Sequence, residues 1–169
     1  MYLLPRAEMS GKLGPAWAFL SGVKREFVES VPQSPRPDEQ EHTVIMPVEA
    51  PKDVVDHAMA VGLLITTNEA RQVGAFMFGM PAEELTADDL RDVCRETCNV
   101  LGSCMVISDD GRSVGVELGL PKEVTAECFS ELQRKATVSV TFISESQSGS
   151  RVVITVFDAI DPSIVESIK

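Results

Sequence analysis

Hydrophobic and polar positions alternate most regularly near the C-terminal end of the 169-residue chain. ATVSVTFIS at 136–144 and RVVITVFDAI at 151–160 flank ESQSGS. Two period-two runs around a polar, glycine-containing turn predict an antiparallel hairpin. HTVIMPV at 42–48 and HAMAVGLLITT at 57–67 predict a second antiparallel pair, because Pro51 and Asp53 between them suit a turn. The later run is apolar from Ala58 to Ile65, the pattern of a strand buried on both faces. SVGVELGLPKEV at 113–124 reads as a broken strand with Pro121 at a bulge or edge.

Elsewhere the spacing turns helical. Residues 1–13 read as a loose tail, and Pro15 can be the first residue of a helix running to Pro32, with Trp17, Leu20, Phe27, Val28 and Val31 as its apolar stripe. PQSPRPDEQE, with three prolines and four charges, reads as a surface linker. NEARQVGAFMFGM predicts a helix capped by Thr67 or Asn68 and ended by Met80-Pro81, with Ala70, Val73, Phe76 and Met77 facing inward. TAECFSELQRK at 125–135 fits either a short helix or an irregular connection. The order α-β-β-α-α-β-β-β predicts an α+β domain with helices packed on a mostly antiparallel sheet. Residues 1–42 then form an N-terminal tail, helix and Pro-rich linker, and 43–169 the main domain, in one globular unit with the N-terminal helix.

The stretch Thr86 to Ser108 organises the rest. Thr86 with Asp89 three residues on predicts a capped helix with an acidic first turn, and an uninterrupted run then extends it to about five turns. At about 100° per residue, Leu90, Cys94, Thr97, Leu101, Cys104 and Met105 face a core. Asp92, Glu96, Asn99 and Ser103 line the opposite side, a narrow polar stripe on a rigid support. Taken alone, such a stripe is most often just a solvated helix face.

Composition narrows the chemistry. A net charge of −11 argues against nucleic acid or an anionic membrane surface as partner. The longest apolar runs, such as AMAVGLLI, are too short to span a bilayer, and no signal peptide is read, so the expected location is the cytoplasm. The four cysteines have no paired spacing, which suits a reducing compartment. No CxxC pair exists, Cys94 and Cys104 point to the core side, and only Cys128, His42 and His57 could complete a metal site, so none is expected. Neither histidine lies near a candidate nucleophile in sequence, and Ser103 and Cys104 lack an obvious base.

The run MFGMPAEELTADDLRDVCRETCNVLGS resembles the heart of the chemotaxis phosphatase family, the CheX, CheC and FliY proteins. The family signature is Asp or Ser, three residues, Glu, two residues, Asn, and further on a Pro. Asp92, Glu96, Asn99 and Pro121 take those positions, with one residue fewer before the proline than in CheC. The helical part of the pattern alone would arise by chance in about one chain in twenty of this length. Its place on one helix face after MFG and an acidic loop makes it more specific. Only one copy is present, which favours CheX over the two-copy relatives; the likeness covers roughly residues 43–160. Gly102 stands three residues after Asn99, where many CheX relatives have a glycine four after.

The resemblance implies a CheX-like fold and a phosphatase acting on the aspartyl phosphate of a phosphorylated CheY-type response regulator. It gives Asn99 the role of orienting the attacking water and Glu96 that of reaching a lysine of the regulator. Asp92 and Ser103 would be supporting partner contacts. The magnesium of such a reaction belongs to the regulator, so no cofactor of this chain's own is expected. It also implies a homodimer joined edge to edge, for which the alternating terminal strands are the candidates. The alternatives are a non-catalytic adaptor that docks on a regulator or motor component, and a domain sharing the fold alone.

Overall fold

The structure, a computed structural model, describes residues 4–36, 40–49, 58–106 and 116–168. It is α+β. The elements are α1 (Arg6–Ser21), β1 (Val28–Ser30), β2 (Glu41–Glu49), β3 (Ala58–Thr66), α2 (Thr67–Phe78), α3 (Ala87–Val106), β4 (Glu117–Leu118), β5 (Lys122–Glu123), α4 (Ala126–Lys135), β6 (Val138–Glu145), β7 (Arg151–Ile160) and α5 (Pro162–Ile168). A 3-10 turn, Ala82–Glu84, precedes α3. The strands form one sheet in the order β1-β6-β7-β3-β2-β4, with β5 also on β2, and every pairing is antiparallel.

Both hairpins form as the alternation predicts, Val44 opposite Leu63 in one and Val140 opposite Val156 in the other. The central strands are buried on both faces because helices cover both. Met46, Val61, Leu63, Ile154 and Val156 face α1, α2 and α3 in the larger core. Ile45, Leu64, Val153 and Phe157 face Phe129 and Leu132 of α4 and Val165 of α5. Successive residues of a strand point to opposite faces, so neighbours such as Ile45 and Met46 serve different cores.

Several expectations change. The N-terminal helix starts at Arg6 and carries Pro15 in its interior, ending where Gly22 turns left-handed at φ 75°. Met9, Leu13, Trp17 and Leu20 repeat every three or four residues and are all buried, so the gain from that stripe outweighs the proline's missing N–H. Val28–Ser30 leaves the helix and pairs with Thr141–Ile143 of β6. Phe76 and Met77 are exposed rather than inward. The close face of α2 is Gly74, whose missing Cβ would lie 2.8 Å from Leu85 and 3.1 Å from Val93, so α2 and α3 approach through the smallest side chain. The terminal strands are interior to the sheet, since β1 covers part of β6 and β7 lies between β6 and β3. TAECFSELQRK is helix α4, capped by the Thr125 side chain, which accepts from the Cys128 N–H. Helix α5 follows the last strand, beyond what the pattern predicted.

The segment read as a surface linker is tied to the sheet in part. Arg151 is 1% exposed and donates through Nε (2.6 Å) and Nη2 (2.9 Å) to the two oxygens of Glu41. Its Nη1 also donates to Gln33 Oε1 at 3.1 Å and its Nη2 to the Ser34 carbonyl at 2.7 Å. A second pair joins Arg25 to Glu69 at 2.7 Å, with the Arg25 guanidinium 5.4 Å over the Trp17 ring. No helix among the described residues is long and apolar enough to cross a membrane.

Candidate functional site

Helix α3 begins with a reciprocal cap. The Thr86 Oγ1 accepts from the Asp89 N–H at 3.1 Å, and the Asp89 carboxylate accepts from the Thr86 N–H at 2.8 Å. All six residues expected to face the core are buried, joined by Val93, Cys98, Gly102 and Val106. A Cβ on Gly102 would lie 2.7 Å from Met46 and 3.0 Å from Val61, so the glycine seats α3 directly on β2 and β3. The buried Thr97 hydroxyl donates back to the Val93 carbonyl at 2.7 Å. The inner face is thus closed and satisfied, and the helix is a fixed base for its outer face.

That outer face carries Asp92 and Glu96, both exposed, and Asn99, half-buried. They line a cleft of about 590 Å³ together with Arg95 and the segment Leu118–Lys122. Among the described residues, neither the Glu96 nor the Asn99 side chain has a hydrogen-bond or ion-pair partner. Arg95 stands 3.8 Å from Asp92, a loose pair on the surface. Ser103 does not line the cleft; it is half-buried, and its hydroxyl donates to the Val100 carbonyl at 2.7 Å.

The far wall of the cleft follows from two prolines. In a strand the N–H and C=O of one residue point the same way, and the Pro47 carbonyl accepts from the Gly119 N–H at 2.7 Å. The N–H that Pro47 lacks would have faced the same spot, so the edge strand cannot complete its ladder there and parts into β4 and β5. A Cβ on Gly119 would lie 3.0 Å from the Pro47 oxygen, so a side chain there would press on that carbonyl and glycine suits the close approach. Pro121 then returns the chain to the edge. The broken strand is as expected, but Pro47 as its cause is legible only once the pairing is known.

This wall is fixed to the helix. Arg91 of α3 bridges Asp88 at 3.0 Å and Glu123 of β5 at 3.2 Å. His42 stands 3.5 Å from Glu123 through Nδ1 and 3.2 Å from the Thr67 hydroxyl through Nε2, a structural setting away from the cleft. His57 lies outside the described residues.

Three of the thiols are held in the neutral form. Burial, and secondarily the Glu123 carboxylate, pushes Cys94 up to about 12. Burial, then the neighbouring Cys94, pushes Cys98 up as well. Cys128 is also raised, by burial and then by Glu131. A neutral thiol is neither a nucleophile nor a ready metal ligand. Among the described residues no group of three or more His, Cys, Asp or Glu could hold a metal ion. What the cleft offers is a carboxamide beside a carboxylate, both without a partner among the described residues, rigidly held and open to solvent. Arg95, three residues after Asp92 and four before Asn99, borders the stripe by helix spacing though it was not singled out, whereas the Leu118–Lys122 wall is a part that the helix periodicity could not supply.

No protein-family model matches this sequence, and no curated protein does. Solved structures match its fold. The CheX chemotaxis protein of Vibrio vulnificus superposes with a TM-score of 0.58 at 12% identity, covering 90% of this chain and 94% of its own. A chemotactic CheC-like protein of Shewanella oneidensis gives 0.57 at 13% identity over 90% of this chain and 95% of its own. The Borrelia burgdorferi structure of a CheX-CheY complex with BeF3 and magnesium gives 0.62 at 8% identity over 89% and 95%. The chain therefore has the fold of the CheX and CheC-like proteins, as the motif on its central helix led one to expect.

Proposed function

We propose that this protein is a CheX-type phosphatase that hydrolyses the aspartyl phosphate of a CheY-type response regulator. The observation that carries the reading is the pair Glu96 and Asn99, unpartnered and facing one cleft from the outer face of a rigid helix. The shared fold supports it, and so does the existence of a solved CheX-CheY complex of that fold.

The chemistry asks little of the enzyme. An acyl phosphate hydrolyses readily, so the task is to hold a water in line with phosphorus and keep it there. A carboxamide suits this task because its oxygen can accept from the water while its NH₂ donates to a neighbouring oxygen. Asn99 takes that role. Glu96, next to it on the stripe, pairs with a lysine of the regulator and sets the depth and angle of docking. Asp92 adds negative charge to the same face. The magnesium stays with the regulator, where it offsets the charge on the phosphoryl oxygens. No thiol takes part.

The test is release of phosphate from an acetyl-phosphate-charged regulator with and without this protein. Asn99→Ala should lower the acceleration by roughly 10²-fold, the scale for losing one preorganised polar group. An unchanged rate would remove the catalytic role of Asn99, and binding without any hydrolysis would make the protein an adaptor. A homodimer belongs to the same reading. Its edge is the β1 side, where Val28 and Val31 are exposed and, among the described residues, β1 pairs with Thr141–Ile143 alone. Sedimentation equilibrium should give twice the chain mass.

A further inference from the structure

The polar stripe accounts for orientation better than for affinity. Solvated carboxylates at an interface steer encounter and fix register, whereas affinity comes chiefly from a few apolar or aromatic side chains buried in pockets of the partner. The cleft presents one such side chain. Leu120 is 80% exposed, above Phe19 at 75% and every other large hydrophobic residue described. It lines the same cleft as Glu96 and Asn99, on the opposite wall.

Leu120 is not on a loose loop. Gly119 is bonded to Pro47, Pro121 fixes the backbone after it, and β4 and β5 pair with β2 on either side. The sheet edge opens for these three residues alone and holds the leucine out into water. The backbone that carries the side chain is therefore fixed in advance, and docking need not order a loop. Its exposure also means that the fold draws almost nothing from it. The other exposed apolar side chains nearby in the helical layer, Phe19 on α1, Val23 just after it and Phe76 on α2, do not line the cleft.

We infer that Leu120 is the apolar anchor on which the regulator docks: it enters an apolar recess beside the phosphorylated aspartate while Glu96 and Asn99 reach the phosphorylation pocket. This rests on the regulator reading above. The partner is thereby specified further. Its phosphorylated face must offer a lysine for Glu96 and, across the width of the cleft, a concave apolar patch for a leucine.

Steady-state hydrolysis of the acetyl-phosphate-charged regulator separates the two walls. Leu120→Ala should raise KM about 10-fold with kcat unchanged, and Leu120→Asp should raise it further, whereas Leu120→Met should stay near the native value. Asn99→Ala should lower kcat and leave KM in place. Thermal melts of all the Leu120 variants should coincide with the native one. A native KM in both Leu120→Ala and Leu120→Asp overturns the anchor while the phosphatase reading stands. If Asn99→Ala keeps the native kcat but Leu120→Ala still weakens binding, the anchor stands and the catalytic role falls. Failure of the native chain to engage any phosphorylated regulator overturns both.

Discussion

Glu41 and Glu96 are the same residue in opposite settings. The Glu41 side chain lies in the interior with both oxygens bonded to a fully buried Arg151, which also donates to Gln33 and Ser34. Glu96 stands in the open and has no partner among the described residues. A buried charge must be matched within its own chain, because water cannot reach it. An exposed charge has no such need, and its position can be set by something outside the molecule. The first kind of acid holds the fold. The second is available to another protein.

The largest effect should come from breaking the interior pair. Arg151→Met leaves Glu41 buried without its cation, and the expected loss is about 3–5 kcal/mol. In a chain of this size that lowers the melting temperature by roughly 10 °C. Adding Glu41→Leu removes the stranded charge and should recover much of the loss. If the double variant melts no higher than Arg151→Met, the damage comes from the lost ties to Gln33 and Ser34 instead.

A smaller effect distinguishes the inner from the outer face of α3. Cys94 is neutral in the folded protein well past its ordinary value of 9.0, being pushed up to about 12. Unfolded, it ionises near 9.0, so above that pH the unfolded state binds fewer protons than the folded one. The sign follows: this stabilisation is complete below pH 9.0 and is lost as pH rises toward about 12. By about pH 10.5 the loss is about 2 kcal/mol for the one thiol. Urea titrations at several alkaline pH values should show a steeper decline for the native chain than for Cys94→Ala/Cys98→Ala. Equal slopes would mean that the thiols are more hydrated than their burial indicates.

The two kinds of acid differ in how legible they were. The α3 stripe could be read from one helix, because Asp92, Glu96 and Asn99 are local and the 3.6-residue period orders them. Both hairpins were legible for the same reason, with a period of two. The Glu41–Arg151 pair was not, since its members stand 110 residues apart and no local pattern links them. Leu120 was hidden for a similar reason. Its exposure depends on Pro47, a residue of another strand, breaking the ladder opposite Gly119. In α2 the expectation that large apolar residues turn inward failed at Phe76 and Met77, because the buried contact is made by Gly74. Pro15 misled in another way. It was read as a helix start, and only the packing of Met9 and Leu13 against the core shows the helix running through it.

The smallest effect on stability should come from Glu96 itself. Glu96→Gln keeps the size of the side chain and removes only its charge. Since no partner within the described residues loses a contact, the melting temperature should move by no more than the equivalent of about 0.5 kcal/mol. Binding to the regulator should still weaken, and the weakening should depend on salt. A carboxylate meeting a lysine at a partly solvated interface is screened as ionic strength rises, so the native affinity should fall from low salt to about 0.5 M while that of Glu96→Gln falls less. At high salt the two curves should converge. If instead the variant matches the native protein at every ionic strength, Glu96 makes no charge contact with the partner, and its exposure is that of an ordinary solvated helix face. If the variant melts well below the native chain, Glu96 belongs with Glu41 after all, and the contrast between an acid kept for the fold and an acid left for a partner fails.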